Sequence, residues 1–208
     1  MNLEKRFDNL VQRNHYWLSS NETLFPEILK KYSEEHRHYH TIGHVRDCLE
    51  KFDLVKDLLV KPDEVEMAIF YHDIIYDVQS KDNEKKSAKY MADKLRRIGM
   101  DKDFVGGANS LILDTEKHVL GEHPDSGYMI DIDFSSLGVS LEKFNLDREN
   151  IRKEYLSIYE WEDVKFGTID FYNQMLARDK IFLTGYFYNL CEGKARENIR
   201  KNIEILTA

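Results

Sequence analysis

The sequence has few of the residues that cross-link a chain or interrupt a helix. Its 208 residues include two cysteines, three prolines and ten glycines. Cys48 and Cys191 lie far apart and form no Cys-x-x-Cys pair, which predicts two free thiols in a reducing compartment. The scarcity of proline and glycine permits long, uninterrupted helices.

An excess of positive charge and a long apolar segment are also missing. Lys and Arg total 30 against 38 Asp and Glu, a formal charge of −8, which argues against a nucleic-acid binder. No segment approaches the ~20 apolar residues of a membrane span, and the charged N-terminal segment lacks the apolar core of a signal peptide. We therefore expect a cytoplasmic protein that binds neither nucleic acid nor membrane, with its oligomeric state left open. A small anionic substrate is compatible with this charge, because a bound cation reverses the local field.

What the sequence does contain is helical periodicity. Apolar residues recur at three- and four-residue steps from the start of the chain, as in Leu3, Phe7, Leu10, Val11, Trp17 and Leu18. No alternating strand pattern persists, and the short stretches at 166–169 and 181–183 are the only candidates. The pattern predicts an all-α fold of about 8–10 helices. We expect a single compact domain over residues 1–208, with a core at about 30–140 and C-terminal helices at 140–208 packed on it.

Several helix ends can be placed from the sequence. Pro62 followed by two acids predicts a helix start, and the apolar face that follows continues through His72 to Ile75. Gly99 predicts the end of the next helix. The Gly106-Gly107 pair weakens the prediction of a helix between residues 101 and 114. In the C-terminal part we expect helices at 140–161, 164–180 and about 185–206.

Polar residues in apolar surroundings carry the functional signal. His72 and Asp73 lie within AIFYHDIIY, although burying an imidazole and a carboxylate is costly without partners. One alternative is a hydrogen-bonded His–Asp pair in the core. His40 and His44 are four residues apart and would share one face of a helix. A later apolar segment contains two more carboxylates, in Asp131-Ile132-Asp133.

Together these segments offer two imidazoles and two carboxylates to one ion. Nitrogen and oxygen donors without thiolate suit one divalent ion, namely Mn²⁺, Fe²⁺, Mg²⁺, Co²⁺ or Ni²⁺, often six-coordinate with water. A closed structural zinc site would favour cysteine instead. A metal with open positions would lower the pKa of bound water and polarise a phosphoryl group.

The order of these residues resembles the H…HD…D signature of the HD-domain superfamily of metal-dependent phosphohydrolases. The resemblance covers nearly the whole chain. Longer segments are similar to those of a bacterial branch of predicted HD-domain hydrolases, in the order YHTIGHV, AIFYHDIIYD, DNEKKSA, DIDFSSLG and KARENI. It implies a helical HD-type domain that binds a divalent metal and hydrolyses phosphate esters.

The resemblance also implies a set of metal ligands. His44 matches the first histidine of the signature, and His72 and Asp73 match the doublet. Asp133 matches the final aspartate, because family members often carry an Asp-x-Asp segment whose second acid binds the metal. Asp131 is the alternative for that position, or it orients a ligand from outside the coordination sphere.

Two acids are candidates for activating the attacking water. Related hydrolases use an acid shortly after the doublet, which suggests Asp77 or Glu84. Asp77 would share the face of Asp73 on a continuing helix, and Glu84 begins the next helix. A carboxylate near a metal-bound water can act as general base. For each, the alternative is a helix-capping or solvated acid.

Four further residues are candidates for binding the substrate. His40 lies one helical turn before His44, and His118 follows a helix end. Arg178 and Arg196 could meet phosphate, since the guanidinium fork matches its oxygens. The alternatives are a surface or capping role for His40, no contact with the pocket for His118, and an ion pair with Glu192 for Arg196.

The sequence thus predicts a metal-dependent phosphohydrolase that acts on a nucleotide or another small phosphate ester through a metal-activated water. The substrate class comes from analogy with the family. The alternative is a non-catalytic helical module that keeps a metal for stability or senses a nucleotide. A di-iron oxygenase is weaker, because it needs more histidine and acid ligands than this chain offers.

Overall fold

The computed structural model describes residues 1–15 and 24–208, and these residues form helices without a strand. Trp17 and Leu18, predicted for the apolar face of the first helix, lie outside this part of the chain. The all-α prediction is confirmed, as is the number of helices within the described residues. The ten α-helices are α1 (Leu3–Asn14), α2 (Phe25–Lys31), α3 (Ile42–Val55), α4 (Pro62–Tyr71), α5 (Asn83–Arg97), α6 (Lys102–Lys117), α7 (Ser126–Phe134), α8 (Leu141–Leu156), α9 (Trp161–Ala177) and α10 (Gly185–Thr207).

The chain divides into two compact units, Met1–Ile130 and Asp131–Ala208. Helices α1 to α6 belong to the first unit and α8 to α10 to the second. Helix α7 contributes residues to both. The prediction of one domain over the whole chain stays a prediction.

Helix α4 is the centre of the first unit. Every residue from Glu64 to Tyr71 is buried, including two glutamates, because other helices surround this one. It packs against α1, α3, α5 and α6. Its one buried acid on the α1 side, Glu66, is paired with Arg6 and Arg13 of α1, so the charge is compensated.

Helix α4 begins where the sequence predicts and ends earlier. Pro62 occupies its first turn, where its missing N–H costs no hydrogen bond. Tyr71 is the last helical residue and His72 follows as the C-cap. The expectation that the helix continues to Ile75 is wrong, and with it the argument that Asp77 shares a helical face with Asp73.

The glycines of α5 and α6 act differently from one another. Gly99 follows α5 with φ +81°, the left-handed conformation that glycine adopts without strain. Gly106 and Gly107 do not interrupt α6. A Cβ added at Gly107 would lie 1.7 Å from Oε2 of Glu64, whereas one at Gly106 would meet nothing within 4 Å. Glycine at 107 therefore lets α6 approach the buried Glu64 of α4.

In the second unit, helix α10 is the longest and continues through Gly193 without interruption. It packs against α9, α8 and the 3₁₀ turn Ser135–Gly138. Helix α9 begins at Trp161 rather than residue 164, and the strand candidate at 166–169 lies within it. Residues 181–183 have no regular structure. Within the described ranges, no helix combines the length and the apolar character needed to cross a membrane.

Candidate metal centre

The candidate centre begins with two buried histidines on neighbouring helices. Thr41 caps α3, its hydroxyl accepting from the Gly43 N–H, and this fixes His44 in the first turn. His72 caps the C-terminus of α4, its N–H donating to the Ala68 carbonyl. Both histidine side chains are buried.

The donor atoms of these residues meet at distances that suit one ion. Nε2 of His44 lies 3.1 Å from Nε2 of His72. Oδ2 of Asp73 lies 3.0 Å from Nε2 of His72 and 3.7 Å from Nε2 of His44. Two donors at ~2.1 Å from one metal lie roughly 3.0–3.4 Å apart for octahedral or tetrahedral angles. The two separations from Nε2 of His72 fall within this range, whereas the 3.7 Å between Nε2 of His44 and Oδ2 of Asp73 exceeds it.

A hydrogen bond shows which ring nitrogen of His72 is available as a metal ligand. Nδ1 of His72 lies 2.9 Å from the Ile69 carbonyl oxygen. Because a carbonyl can only accept, Nδ1 bears a proton, and Nε2 is the nitrogen that can offer a lone pair to a metal. Nε2 faces the carboxylate of Asp73. A hydrogen bond from the other ring nitrogen to a carbonyl is usual for histidine ligands.

Cys48 is a donor that the sequence analysis left out. Its Sγ lies 3.7 Å from Nε2 and 3.8 Å from Nδ1 of His44. The thiol is buried and sits one helical turn after His44 on α3. The i, i+4 spacing of a histidine and a cysteine on one helix was a usable signal. The expectation of a donor set without sulfur therefore needs revision.

Asp133 completes a group of four. One ligand atom each from His44, Cys48, His72 and Asp133 lies within 4.8 Å of the others. Three of these residues are buried and Asp133 is half-buried. A His/Cys/Asp cluster that can hold a metal ion is thus present, although its geometry does not identify the metal.

Asp131 has different partners from Asp133. Its carboxylate accepts from the N–H groups of Leu183 and Thr184, both at 2.7 Å, and from the Thr184 hydroxyl at 2.6 Å. Thr184 is the N-cap of α10. Burial raises the pKa of Asp131, against these hydrogen bonds. Of the two acids left open by the sequence, only Asp133 belongs to the four-residue cluster.

Glu84 lies in the first turn of α5, within electrostatic range of the centre. Burial raises its pKa, and the negative charges of Asp73 and Glu116 raise it further, while its own backbone N–H and His118 oppose the shift. A carboxyl group with a raised pKa can hold and release a proton nearer to neutral pH. A role for Glu84 as general base stays a prediction.

Asp77 is exposed in the loop before α5. Its Oδ1 accepts from the Gln79 N–H at 2.9 Å, and Asn83 bonds to its backbone. The Asp77 carboxylate thus closes a turn within the loop and caps no described helix, and its exposure agrees with the alternative of a solvated acid. A role in activating water stays a prediction.

The two histidines predicted to bind substrate both lie in the first unit. His40 precedes α3, so the expectation that it shares a helical face with His44 is wrong, although their ring centroids are 6.0 Å apart. The His40 ring stacks on Tyr76 at 4.0 Å. His118 is the C-cap of α6, with φ 50°, and its charge acts on Glu84. Substrate binding by either residue stays a prediction.

The two arginines predicted to bind substrate lie in the second unit. Arg196 donates to Glu192 at 2.7 Å and to the backbone carbonyls of Leu176, Arg178 and Asp179. The ion pair proposed as the alternative for Arg196 is therefore present. Arg178 is the C-cap of α9. Phosphate binding by either arginine stays a prediction.

Comparison with known proteins gives no relative for this chain. No family model, curated protein or solved structure matches it. What can be said of its function therefore rests on its own residues and their geometry.

Proposed function

We propose that this protein is a metal-dependent phosphohydrolase of the HD superfamily, acting on a nucleotide or another small phosphate ester. The order of His44, the His72-Asp73 doublet and Asp133 along the chain supports the family. The observation that carries the proposal is the meeting of the two Nε2 atoms at 3.1 Å, with Oδ2 of Asp73 3.0 Å from that of His72. These nitrogen and oxygen atoms are ligands that one divalent cation would bind together.

The surroundings of the centre support hydrolysis over simple metal storage. A metal bound there supplies Lewis acidity and lowers the pKa of a water ligand. Glu84, whose pKa is raised, is the residue that we propose accepts a proton from the water that attacks phosphorus. His40 and His118 are the first-unit residues that we propose for contact with the phosphate.

A second candidate is a non-catalytic module that keeps its metal for stability or senses a nucleotide. The presence of Cys48 in the cluster favours it. Four donors of nitrogen, sulfur and oxygen can close a tetrahedral site, which leaves no position for water or substrate. A thiolate ligand would also shift the preferred metals towards zinc and other soft ions.

Two measurements on the purified protein decide between these functions. Metal analysis should find about one ion per chain, as a single cluster implies. A screen of phosphate esters and nucleotides with Mn²⁺, Mg²⁺, Co²⁺ and Ni²⁺ should reveal turnover that chelation abolishes. A stoichiometric ion without turnover on any ester would refute hydrolysis and support the module.

The spectrum of the Co²⁺ form tests Cys48 separately. A sulfur ligand gives a thiolate-to-cobalt charge-transfer band, and Cys48→Ser should remove it. If hydrolysis needs an open position, the band should be weak or absent in the active form. A strong band together with no turnover is the result expected of a closed site.

A further inference from the structure

Arg37 is the most deeply buried cation of the first unit, with none of its side chain exposed. Its Nη1 donates to the carbonyl oxygens of Asp73 at 2.7 Å and His40 at 3.0 Å. Its Nη2 donates to the Ile74 carbonyl at 3.0 Å, and its Nε donates to Glu34 at 3.1 Å. The guanidinium thus bonds to three backbone carbonyls and a single carboxylate.

Aromatic rings hold the guanidinium in this orientation. Its central carbon lies 5.2 Å from the ring centroid of Tyr32 and 5.6 Å from that of Tyr76. Tyr32 is itself buried and donates its hydroxyl to the Phe70 carbonyl. Packing against ring faces restricts a planar cation more than hydrogen bonds alone would.

The three carbonyls belong to the two segments that carry the metal donors. His40 lies just before α3, which holds His44, whereas Asp73 and Ile74 lie just after α4, which ends at Tyr71. The N–H groups of a helix do not reach carbonyls that lie beyond its end. Arg37 donates to two such carbonyls, those of Asp73 and Ile74, and also to that of His40, and so joins the two segments.

We infer that Arg37 is a positioning residue that sets the distance between His44 and the His72-Asp73 doublet, and thereby the affinity for the metal. This inference rests on the metal centre of the proposed function. It does not require that the centre be catalytic. Arg37 contacts the backbone of Asp73 rather than the ion, so it acts through the placement of a ligand.

A lysine cannot replace this arrangement. Its ammonium is a single point with three donors, whereas the guanidinium presents five N–H groups in a fixed plane. Arg37→Lys keeps the positive charge and loses the planar set of N–H donors. The variant therefore tests the hydrogen bonds of Arg37 separately from its charge. Loss of such an outer contact typically costs about 10–100-fold in metal affinity.

Arg6 provides the matched control. It also pairs with carboxylates, those of Asp53 and Glu66, and lies over the ring of Phe52. Its partners are side chains on α3 and α4 rather than the backbone of a metal donor. Arg6→Lys should therefore lower thermal stability without moving the metal ligands.

The test is a Co²⁺ titration of the full-length wild type, Arg37→Lys and Arg6→Lys, with melting curves of the metal-free proteins. We expect Arg37→Lys to bind Co²⁺ about 10–100-fold more weakly with an altered d–d spectrum. Arg6→Lys should keep the affinity within about twofold. Wild-type affinity and spectrum in Arg37→Lys, or equal weakening by Arg6→Lys, would overturn the inference.

A second variant covers misfolding of the first. If Arg37→Lys does not fold, Arg37→Gln offers two amide donors to the same carbonyls, and unchanged Co²⁺ affinity there also overturns the inference. If the wild type binds Co²⁺ but hydrolyses no ester, the proposed function is refuted, whereas the inference that Arg37 positions the metal ligands still stands. A wild type that binds no Co²⁺ removes the metal centre and the inference with it.

Discussion

Among single residues, His72 has the most strictly fixed chemistry. Its backbone N–H completes the last turn of α4, and its Nδ1 donates to Ile69 within the same turn. The ring therefore has one orientation and one tautomer, which gives Nε2 the lone pair that a metal needs. Asp73 lies in the turn that follows α4, where Arg37 donates to its backbone carbonyl.

Asp73→Ala should abolish stoichiometric metal binding. The substitution removes the charged donor 3.0 Å from Nε2 of His72, and an incomplete set of ligands holds a divalent ion weakly. The measurement is metal content after dialysis. Asp77→Ala is the control, because the Asp77 carboxylate bonds to the Gln79 N–H instead, and this variant should retain its metal. Full metal content in Asp73→Ala would contradict the ligand assignment.

Glu84→Gln should keep the metal and slow hydrolysis by about 10²–10⁴-fold, the usual contribution of a general base. The pKa of Glu84 is raised, chiefly by burial and then by Asp73. A base must be ionised, so the wild-type rate should rise with pH through a midpoint above the usual pKa of a glutamate.

In Glu84→Gln this acidic limb of the pH–rate profile should disappear. The raised pKa also means that the native state holds the proton more tightly than the unfolded chain, so the ionised carboxylate disfavours folding at neutral pH. The glutamine variant should therefore be no less stable than the wild type at pH 7. An unchanged profile would exclude Glu84 as the base.

Two residues near the metal centre were not predicted from the sequence, for different reasons. Cys48 is four residues after His44, a spacing that the sequence displays and that could have been used. Arg37 bonds mainly to backbone carbonyls. A contact to backbone leaves no pattern among residue types, so nothing in the sequence singles out Arg37.

At the scale of elements, α7 places two acids two residues apart with different partners. Positions i and i+2 of a helix point in directions about 200° apart. Asp131 accepts hydrogen bonds at the start of α10, while Asp133 belongs to the metal cluster. Periodicity could not decide which acid was the ligand, because it does not reveal which side of α7 meets which neighbour.

Asp131→Ala should lower the free energy of unfolding by about 1–3 kcal/mol, since it leaves buried N–H groups without an acceptor. Metal content should stay near that of the wild type. Asp133→Ala should do the reverse, losing metal with a smaller effect on the stability of the metal-free protein. Chemical denaturation and metal analysis of both variants measure this, and loss of metal in Asp131→Ala alone would reverse the assignment.

The two adjacent glycines of α6 predict opposite effects on stability. A Cβ at the exposed Gly106 meets nothing, so Gly106→Ala should stabilise by about 0.5–1 kcal/mol through helix propensity. At Gly107 the Cβ would displace Glu64 from His123 and Lys61, costing about 1–3 kcal/mol. Denaturant midpoints of the two variants should fall on either side of the wild type, and two shifts of one sign would contradict this packing.

The start of α4 and the end of α5 were predictable, and the end of α4 was not. Pro62 and Gly99 act through local backbone geometry, which the sequence states directly. The end of α4 at Tyr71 is set by tertiary contacts, with Tyr32 and Arg37 bonding to carbonyls at and beyond it. Apolar residues continue through Ile74 and Ile75, so periodicity alone extended the helix too far.

At the scale of the whole molecule, the metal should stabilise the native state. A ligand at 100 times its Kd stabilises by about 2.7 kcal/mol, which corresponds to roughly 5–10 °C in Tm for a chain of this size. Chelation should therefore lower the melting temperature by that amount, and added Mn²⁺ or Co²⁺ should restore it. Asp73→Ala should melt like the chelated wild type and not respond to metal; a response equal to that of the wild type would place the ion elsewhere.

The burial of each arginine determines how strongly its contacts respond to ionic strength. The Arg13–Asp63 pair, which ties the end of α1 to the start of α4, is 48% and 34% exposed, and dissolved ions screen such pairs readily. Arg37 is sealed from solvent and bonds mostly to uncharged carbonyls, which salt hardly affects. Concentrated salt should thus loosen the periphery of the first unit while its interior scaffold keeps its dimensions.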